Sequence, residues 1–213
     1  MIIAIDGPAA SGKGTIGKRV AVHYRLAYLD TGSLYRAVAR DTMARGDDPA
    51  NKAAAVASAE RLDPSTLSDP NLREPGLGEA ASLVARHAAV RRALLAYQRQ
   101  FARAEQGAVL DGRDIGTVIC PDAEVKLFVT ATPEERARRR YLELKQSGAA
   151  VSEAEVLSDI RRRDERDAGR AAAPLRKAPD AYLLDTTNLD IDAAFKAAID
   201  LIDAALARAG CAS

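Results

Sequence analysis

The sequence predicts an α/β protein in which a five-stranded parallel sheet is flanked by helices, and three observations carry that expectation. Apolar runs at 2–5, 27–29, 108–110, 125–129 and 182–184 are too short for helices, and they alternate with longer stretches of helical spacing. The first run passes straight into a glycine-rich loop containing a lysine, with a helix-compatible stretch behind it. Ligand-binding residue types follow several runs at their ends, where a doubly wound sheet binds its ligands.

The loop is Gly7-Pro8-Ala9-Ala10-Ser11-Gly12-Lys13-Gly14-Thr15, and it has the phosphate-binding pattern. A polyphosphate needs several inward-pointing N–H groups, and side chains would block its approach to the backbone. Gly7 and Gly12 give that access. Lys13 is placed to reach the β- and γ-phosphates, and the N-terminus of the helix over 14–24 adds a positive dipole end. Gly14 stands where the common motif has a magnesium-holding hydroxyl, and Thr15 supplies one a step later. The variant Gly-Lys-Gly-Thr resembles the loop of nucleoside monophosphate kinases more than that of GTPases or motor ATPases.

The second strand ends at Asp30, and Thr31, Tyr35 and Arg36 stand at its ligand edge on a helix running to about Arg45, with Gly46 as its stop. An alanine-rich helix is expected over 49–62. Pro64, Pro70, Pro75, Gly76 and Gly78 then mark 63–78 as a loop of low apolar content, which implies a functional or mobile segment. Helices follow over 79–88 and 90–105, carrying Ser82 and Arg91. The third strand leads into Asp111-Gly112-Arg113-Asp114, and Asp111 occupies a position where phosphate-loop enzymes commonly keep a carboxylate near magnesium. After the fourth strand, Thr132 and Pro133 open a helix containing Arg136, Arg138, Arg139 and Arg140. Ser152 and Glu155 form a capping box for the next helix, whose Arg163, Asp167 and Arg170 fall at i, i+4, i+7 on one face. Arginine's planar fork suits phosphate. A closing helix spans 192–207.

The 213 residues suffice for one domain with a sizeable core, and the net charge of +1 favours neither nucleic acid nor an anionic membrane. Cys120 and Cys211 are far apart and have no metal-ligand spacing, so both are expected as reduced thiols. No signal peptide or membrane span is visible in the sequence. The expectation is a cytoplasmic monomer without nucleic-acid or membrane partners.

Four segments together resemble the bacterial cytidylate kinase family: Asp30 to Arg36, Ala80-Ala81-Ser82 with Arg91, Asp111 to Val118, and Arg163-Asp164-Glu165-Arg166-Asp167 through Arg170 to Leu175. They cover nearly the whole chain in the family's order. The resemblance implies a P-loop kinase fold in a single domain over 1–213. Its core would be 1–45, 79–133 and 175–213, with a short acceptor-binding insert at about 46–78 and an arginine-rich helical lid at about 134–172. It implies that Ser82, Arg91 and Asp114 contact cytosine and that Arg36, Arg113 and Arg170 hold phosphate. Arg163 and Asp167 would address the sugar, while Thr31 and Tyr35 complete the acceptor pocket. The loop from Gly7 to Thr15 and the lid's Arg139 would bind ATP, with Lys13, Arg113 and Arg170 catalytic and Asp111 near magnesium through water. One departure is visible. Family members usually carry a longer insert with a small antiparallel sheet, whereas 63–78 is short and proline-rich.

The implied reaction transfers the γ-phosphoryl group of MgATP to CMP or dCMP. Other acceptors, such as UMP, shikimate or dephospho-coenzyme A, are the nearest alternatives. A GTP-operated switch is disfavoured, because Asn51-Lys52-Ala53-Ala54 lacks the aspartate of a guanine-reading motif.

Overall fold

The computed structural model describes residues 1–74 and 76–210; Pro75 and Cys211 lie outside the described residues. Five parallel strands form one sheet: β1 (Ile2–Asp6), β2 (Ala27–Asp30), β3 (Ala108–Gly112), β4 (Val125–Thr130) and β5 (Tyr182–Asp185), in the spatial order β2-β3-β1-β4-β5. The register pairs Asp6 with Gly112 and Asp30 with Asp111, so three strand ends bring their acidic residues to one edge.

The apolar runs are continuous because both faces of the sheet are covered. Alternation along each strand then sorts side chains between two cores. Ala4, Leu29 and Leu110 pack with α2 (Thr31–Ala44), α3 (Lys52–Glu60), α4 (Leu77–Val84) and α5 (Ala88–Ala102). Ile3, Ile5 and Val109 pack on the other face with α1 (Lys13–Tyr24) and α8 (Ile191–Gly210). A third, smaller core joins α6 (Pro133–Gln146) to α7 (Glu153–Gly169) through Ala137, Val156 and Ile160. Ala10 of the glycine-rich loop packs against it.

The caps read from sequence are formed. Thr132 accepts from the Glu135 N–H, and Ser152 and Glu155 make the reciprocal box. Asn51 accepts from the Ala53 and Ala54 N–H groups as the N-cap of α3, a local role that accounts for it without a guanine nucleotide.

Two expectations are corrected. Residues 63–78 are not an open loop: 64–68 and 70–73 are two tight helical turns, capped by Asp63 and Asp69. Arg40 of α2 braces them through Asp69 and Thr66, and Leu72 is buried. Proline and aspartate signal turns, and here the turns are consecutive and held down by Leu67, which packs against the core, and the buried Leu72. The helix carrying Ser82 accordingly begins at Leu77. The second correction is at Arg170. Helix α7 ends at Gly169 and Arg170 turns into extended backbone (φ −60°, ψ 133°), so it does not share a helix face with Arg163 and Asp167.

Candidate active site

A cavity of about 450 Å³ opens at the carboxyl edge of the sheet, between α2, α4 and the α6–α7 pair. This is the size range of a small-ligand site. Its donor end is the glycine-rich loop. A side chain at Gly7 would begin 1.9 Å from the Val129 carbonyl oxygen, so only glycine fits there. Gly12 takes the left-handed conformation (φ 86°) that turns the loop into α1. Ala9, Ala10, Lys13 and Gly14 line the cavity. Ser11 is fully buried and its hydroxyl has no partner.

Lys13 is buried, and its ammonium donates to the Pro8 carbonyl at 3.3 Å. Burial and the nearby Arg113 charge bring its pKa down to about 7, against the pull of Asp111 and Asp30. Asp111 is buried on β3 and accepts from the Tyr28 hydroxyl. Burial, together with the Asp30 charge, raises the Asp111 carboxyl above its usual range. Among the described residues, no cluster of three or more acidic, histidine or cysteine side chains forms a metal cage. Asp111 nevertheless suits magnesium held by substrate phosphates, since it lies 3.5 Å from where a Gly14 side chain would begin, against the first turn of α1. Magnesium in kinase sites keeps several waters and takes one or two carboxylates.

The middle of the cavity is basic. Arg36 donates to Asp30 at 2.6 Å and to Ser33 at 2.9 Å. Arg113 donates through Nε to Asp167 Oδ2 at 3.0 Å and through Nη1 to the Gly112 carbonyl. Arg163 is half-buried, with its Nε buried and unpartnered; desolvation and the Arg113 charge lower its pKa to about 10. Arg170 has two buried nitrogens, Nε and Nη2, without a partner. Burial works against ionisation of Asp167, but Arg113, Arg163 and Arg170 outweigh it and hold the carboxyl below its usual range. Guanidinium donors left open around such a cluster form an anion site.

At the far end, Arg91 donates to Asp114, both of them buried. The Arg91 guanidinium also lies 5.4 Å from the Tyr35 ring centre. Ser82 is buried with its hydroxyl unpartnered. Thr31 donates to the Asp111 carbonyl at 2.8 Å, tying α2 to β3. Asp6 fixes the turn that carries Arg113 and Asp114 by accepting from the Ile115 and Gly116 N–H groups, both at 2.8 Å. Burial pushes Asp6 up to about 7 despite those two donors.

All ten residues expected on the acceptor side, from Thr31 to Arg170, therefore line one cavity together with Lys13. Of the residues expected on the ATP side, Gly7, Pro8, Ser11, Gly12, Thr15 and Arg139 do not line it. Thr15 is exposed in the first turn of α1. Arg139 bonds Glu135 and Thr186, and its Nη1 lies 3.9 Å from where a Gly12 side chain would begin. Asp6 and Tyr28 were given no role from the sequence, and Asp30 only a place, as the end of the second strand and the start of a family segment. Asp6 and Asp30 end apolar strands, a signal that could have exposed them.

Comparison with known proteins points to one family. The family model described as "Cytidylate kinase" matches residues 3–204. A cytidylate kinase of Rhodopseudomonas palustris strain BisB5 is 59% identical over 204 residues, covering 96% of each chain. One from Nitrobacter winogradskyi is 58% identical over 210 residues, covering 99% of each. In fold, the chain is similar to the crystal structure of an uncharacterized protein from Eubacterium ventriosum (TM-score 0.54, 19% identity, 96% of this chain and 98% of that one).

Proposed function

The chain belongs to the cytidylate kinase family and transfers the γ-phosphoryl group of ATP to CMP or dCMP, and we propose that it does so from a magnesium-ATP complex with the residue roles that follow. The carrying observation is that one cavity joins the phosphate loop, a cluster of arginines with open donors, and a buried Arg91–Asp114 pair.

Cytosine is read at the Arg91–Asp114 end. Its exocyclic amino group is a donor where uracil has a carbonyl, so the Asp114 carboxylate rewards cytosine and repels uracil. Ser82 and Arg91 take the remaining polar edge of the base, and Tyr35 walls the pocket. Arg163 and Asp167 face the sugar. Arg36, Arg113 and Arg170 hold the acceptor phosphate.

No strong base is needed, since a phosphate monoester with a second pKa of about 6 already presents an ionised oxygen at neutral pH. The obstacle is bringing two anions together. Lys13 and Arg113 neutralise the transferring group, and the loop N–H groups from Gly7 to Thr15 hold the donor phosphates in line. Magnesium, near Asp111 through water, would supply further charge neutralisation on the donor phosphates. Arg139 and the lid pair α6–α7 bound the ATP side, and closing them excludes water that would hydrolyse ATP.

The same reading takes the enzyme as a cytoplasmic monomer acting on free nucleotides. A net charge of +1 gives no electrostatic ground for nucleic acid or an anionic surface, and Cys120 is a buried free thiol. No helix among the described residues is long and apolar enough to cross a membrane. The test measures ADP formation from MgATP across all ribo- and deoxyribonucleoside monophosphates. CMP and dCMP are expected to lead; equal use of UMP would remove Asp114 from base recognition, and turnover independent of any monophosphate would overturn the reading.

A further inference from the structure

The roles above leave unused a buried arginine that touches both the lid and the phosphate loop. Arg136 of α6 is 3% exposed and does not line the cavity. Its Nε donates to the Ala131 carbonyl at 2.9 Å and its Nη1 to the Ala9 carbonyl at 3.2 Å. The fork closes on Asp164 of α7, Nη1 to Oδ1 at 3.0 Å and Nη2 to Oδ2 at 2.5 Å. One guanidinium thus joins the phosphate loop, the base of α6 and the middle of α7.

Ala9 is the informative partner. In a trans peptide the C=O of one residue and the N–H of the next point to opposite sides. With the Ala9 carbonyl turned to Arg136, the Ala10 N–H is turned away from it, toward the side where Ala9 and Ala10 line the cavity. Ala10 holds a positive φ of 58°, which a non-glycine residue keeps only when its surroundings enforce it. The surroundings here are Arg136 and the small core of the α6–α7 pair, against which Ala10 packs. Asp164 in turn sits between Arg163 and Asp167, both of which line the acceptor part of the cavity.

We infer that Arg136, oriented by Asp164, is a positioning residue that holds the Ala9–Ala10 peptide in its phosphate-binding orientation only while α7 is docked, so that filling the acceptor site tightens ATP binding. The inference deepens the proposed function and rests on it. Acceptor contacts at Arg163 and Asp167 bias α7 toward the docked position. Asp164 moves with them because a helix turn is rigid, and Arg136 passes that position to the loop. Such coupling is reciprocal, so ATP must tighten the acceptor by the same factor.

The test uses the full-length enzyme with D164N and R136K. D164N changes a residue that is partly exposed; R136K keeps the charge and loses the fork. Binding of a non-hydrolysable ATP analogue is measured by calorimetry with and without saturating CMP, beside steady-state kinetics. For the wild type, CMP is expected to tighten the analogue on the order of fivefold or more. In both variants that factor should fall toward unity and the KM for ATP should rise about tenfold, with kcat changed much less. A variant whose melting temperature and circular dichroism match the wild type, and which keeps the full CMP-dependent tightening, overturns the inference. If R136K does not fold, D164N alone decides. Failure of the wild type to phosphorylate CMP would instead overturn the functional reading, and it would be seen before either variant is made.

Discussion

Arg113 and Asp167 face each other across the acceptor part of the cavity, Nε to Oδ2 at 3.0 Å, so the end of β3 is joined to α7 by a part-buried ion pair. The helical spacing of Arg163, Asp167 and Arg170 implied that the carboxylate is held by its neighbours on α7. Its hydrogen-bonded partner comes instead from 54 residues earlier in the chain. Asp167 can accept from a sugar hydroxyl with its free oxygen while it holds Arg113 toward the transferring phosphate. Asp167→Ala should therefore lower kcat/KM for CMP and dCMP alike, because the 3′-hydroxyl is common to both, and Arg163→Ala should do the same. A lost hydrogen bond to a charged group is worth about 2 kcal/mol, roughly thirtyfold. The KM for ATP at saturating acceptor should change less. Kinetics in which only the ATP term moves would assign this carboxylate to the donor side.

The Arg91–Asp114 pair supports a sharper expectation about the base. Asp114→Ala leaves Arg91 buried without its partner, and breaking a buried pair costs about 3–5 kcal/mol of stability. The variant should melt earlier and lose CMP turnover more than UMP turnover, which narrows the ratio of the two. Asp114→Asn keeps the shape and presents an amide N–H to a uracil carbonyl, so it should favour UMP further. An unchanged CMP to UMP ratio of kcat/KM in both variants would take base reading away from this residue.

How much of this was legible in the sequence depends on whether a role is local. Strand runs, caps and the glycine-rich loop are decided by residues a few positions apart, and the sheet and the Ser152–Glu155 box formed as expected. The ten acceptor-side residues were placed through the family resemblance, and they share one cavity. The Arg113–Asp167 and Arg136–Asp164 pairs were not legible, since nothing in a one-dimensional pattern says which arginine of an arginine-rich helix turns inward. The 63–78 segment was misread because its composition is that of a loop. Its order comes from Asp63, Asp69, the buried Leu72 and Leu77, and Leu67 packed against the core, each unremarkable alone.

Lys13 offers a test with a pH signature. Lys13→Ala should abolish phosphoryl transfer with the fold intact, because the charge acts mainly on the developing transition state. In the unliganded protein, burial and Arg113 bring the Lys13 pKa down to about 7, so at pH 7 to 8 a sizeable fraction is neutral. Polyphosphate at the loop favours the ammonium and raises that pKa again. ATP binding must then take up protons, increasingly so from pH 6 to 8. Calorimetric titration in buffers of different ionisation enthalpy measures the uptake directly. It should shrink markedly in Lys13→Ala, and a wild-type value of zero at pH 8 would show that Lys13 is fully charged before the nucleotide arrives.

The last prediction concerns Leu72, the most buried side chain of the two turns between α3 and α4. It is 1% exposed and lines the cavity together with its neighbours Arg73 and Glu74. Truncating a buried leucine to alanine costs about 2–5 kcal/mol where the site cannot collapse. Here α2 and the braces from Arg40 to Asp69 and Thr66 limit that collapse. The composition of 63–78 alone implies a segment that is mobile until CMP arrives; the buried anchor implies one that is protected beforehand, with the acceptor adding little. Leu72→Ala should convert the second behaviour into the first. Its 64–73 amides should exchange quickly without CMP and slow on binding, and the KM for CMP should rise because part of the acceptor's binding energy now orders the segment. Hydrogen exchange with and without CMP separates the cases. If the unsubstituted protein already shows rapid exchange over 64–73 that CMP suppresses, Leu72 does not anchor the segment in solution and the sequence-based expectation of a mobile clamp is the correct one.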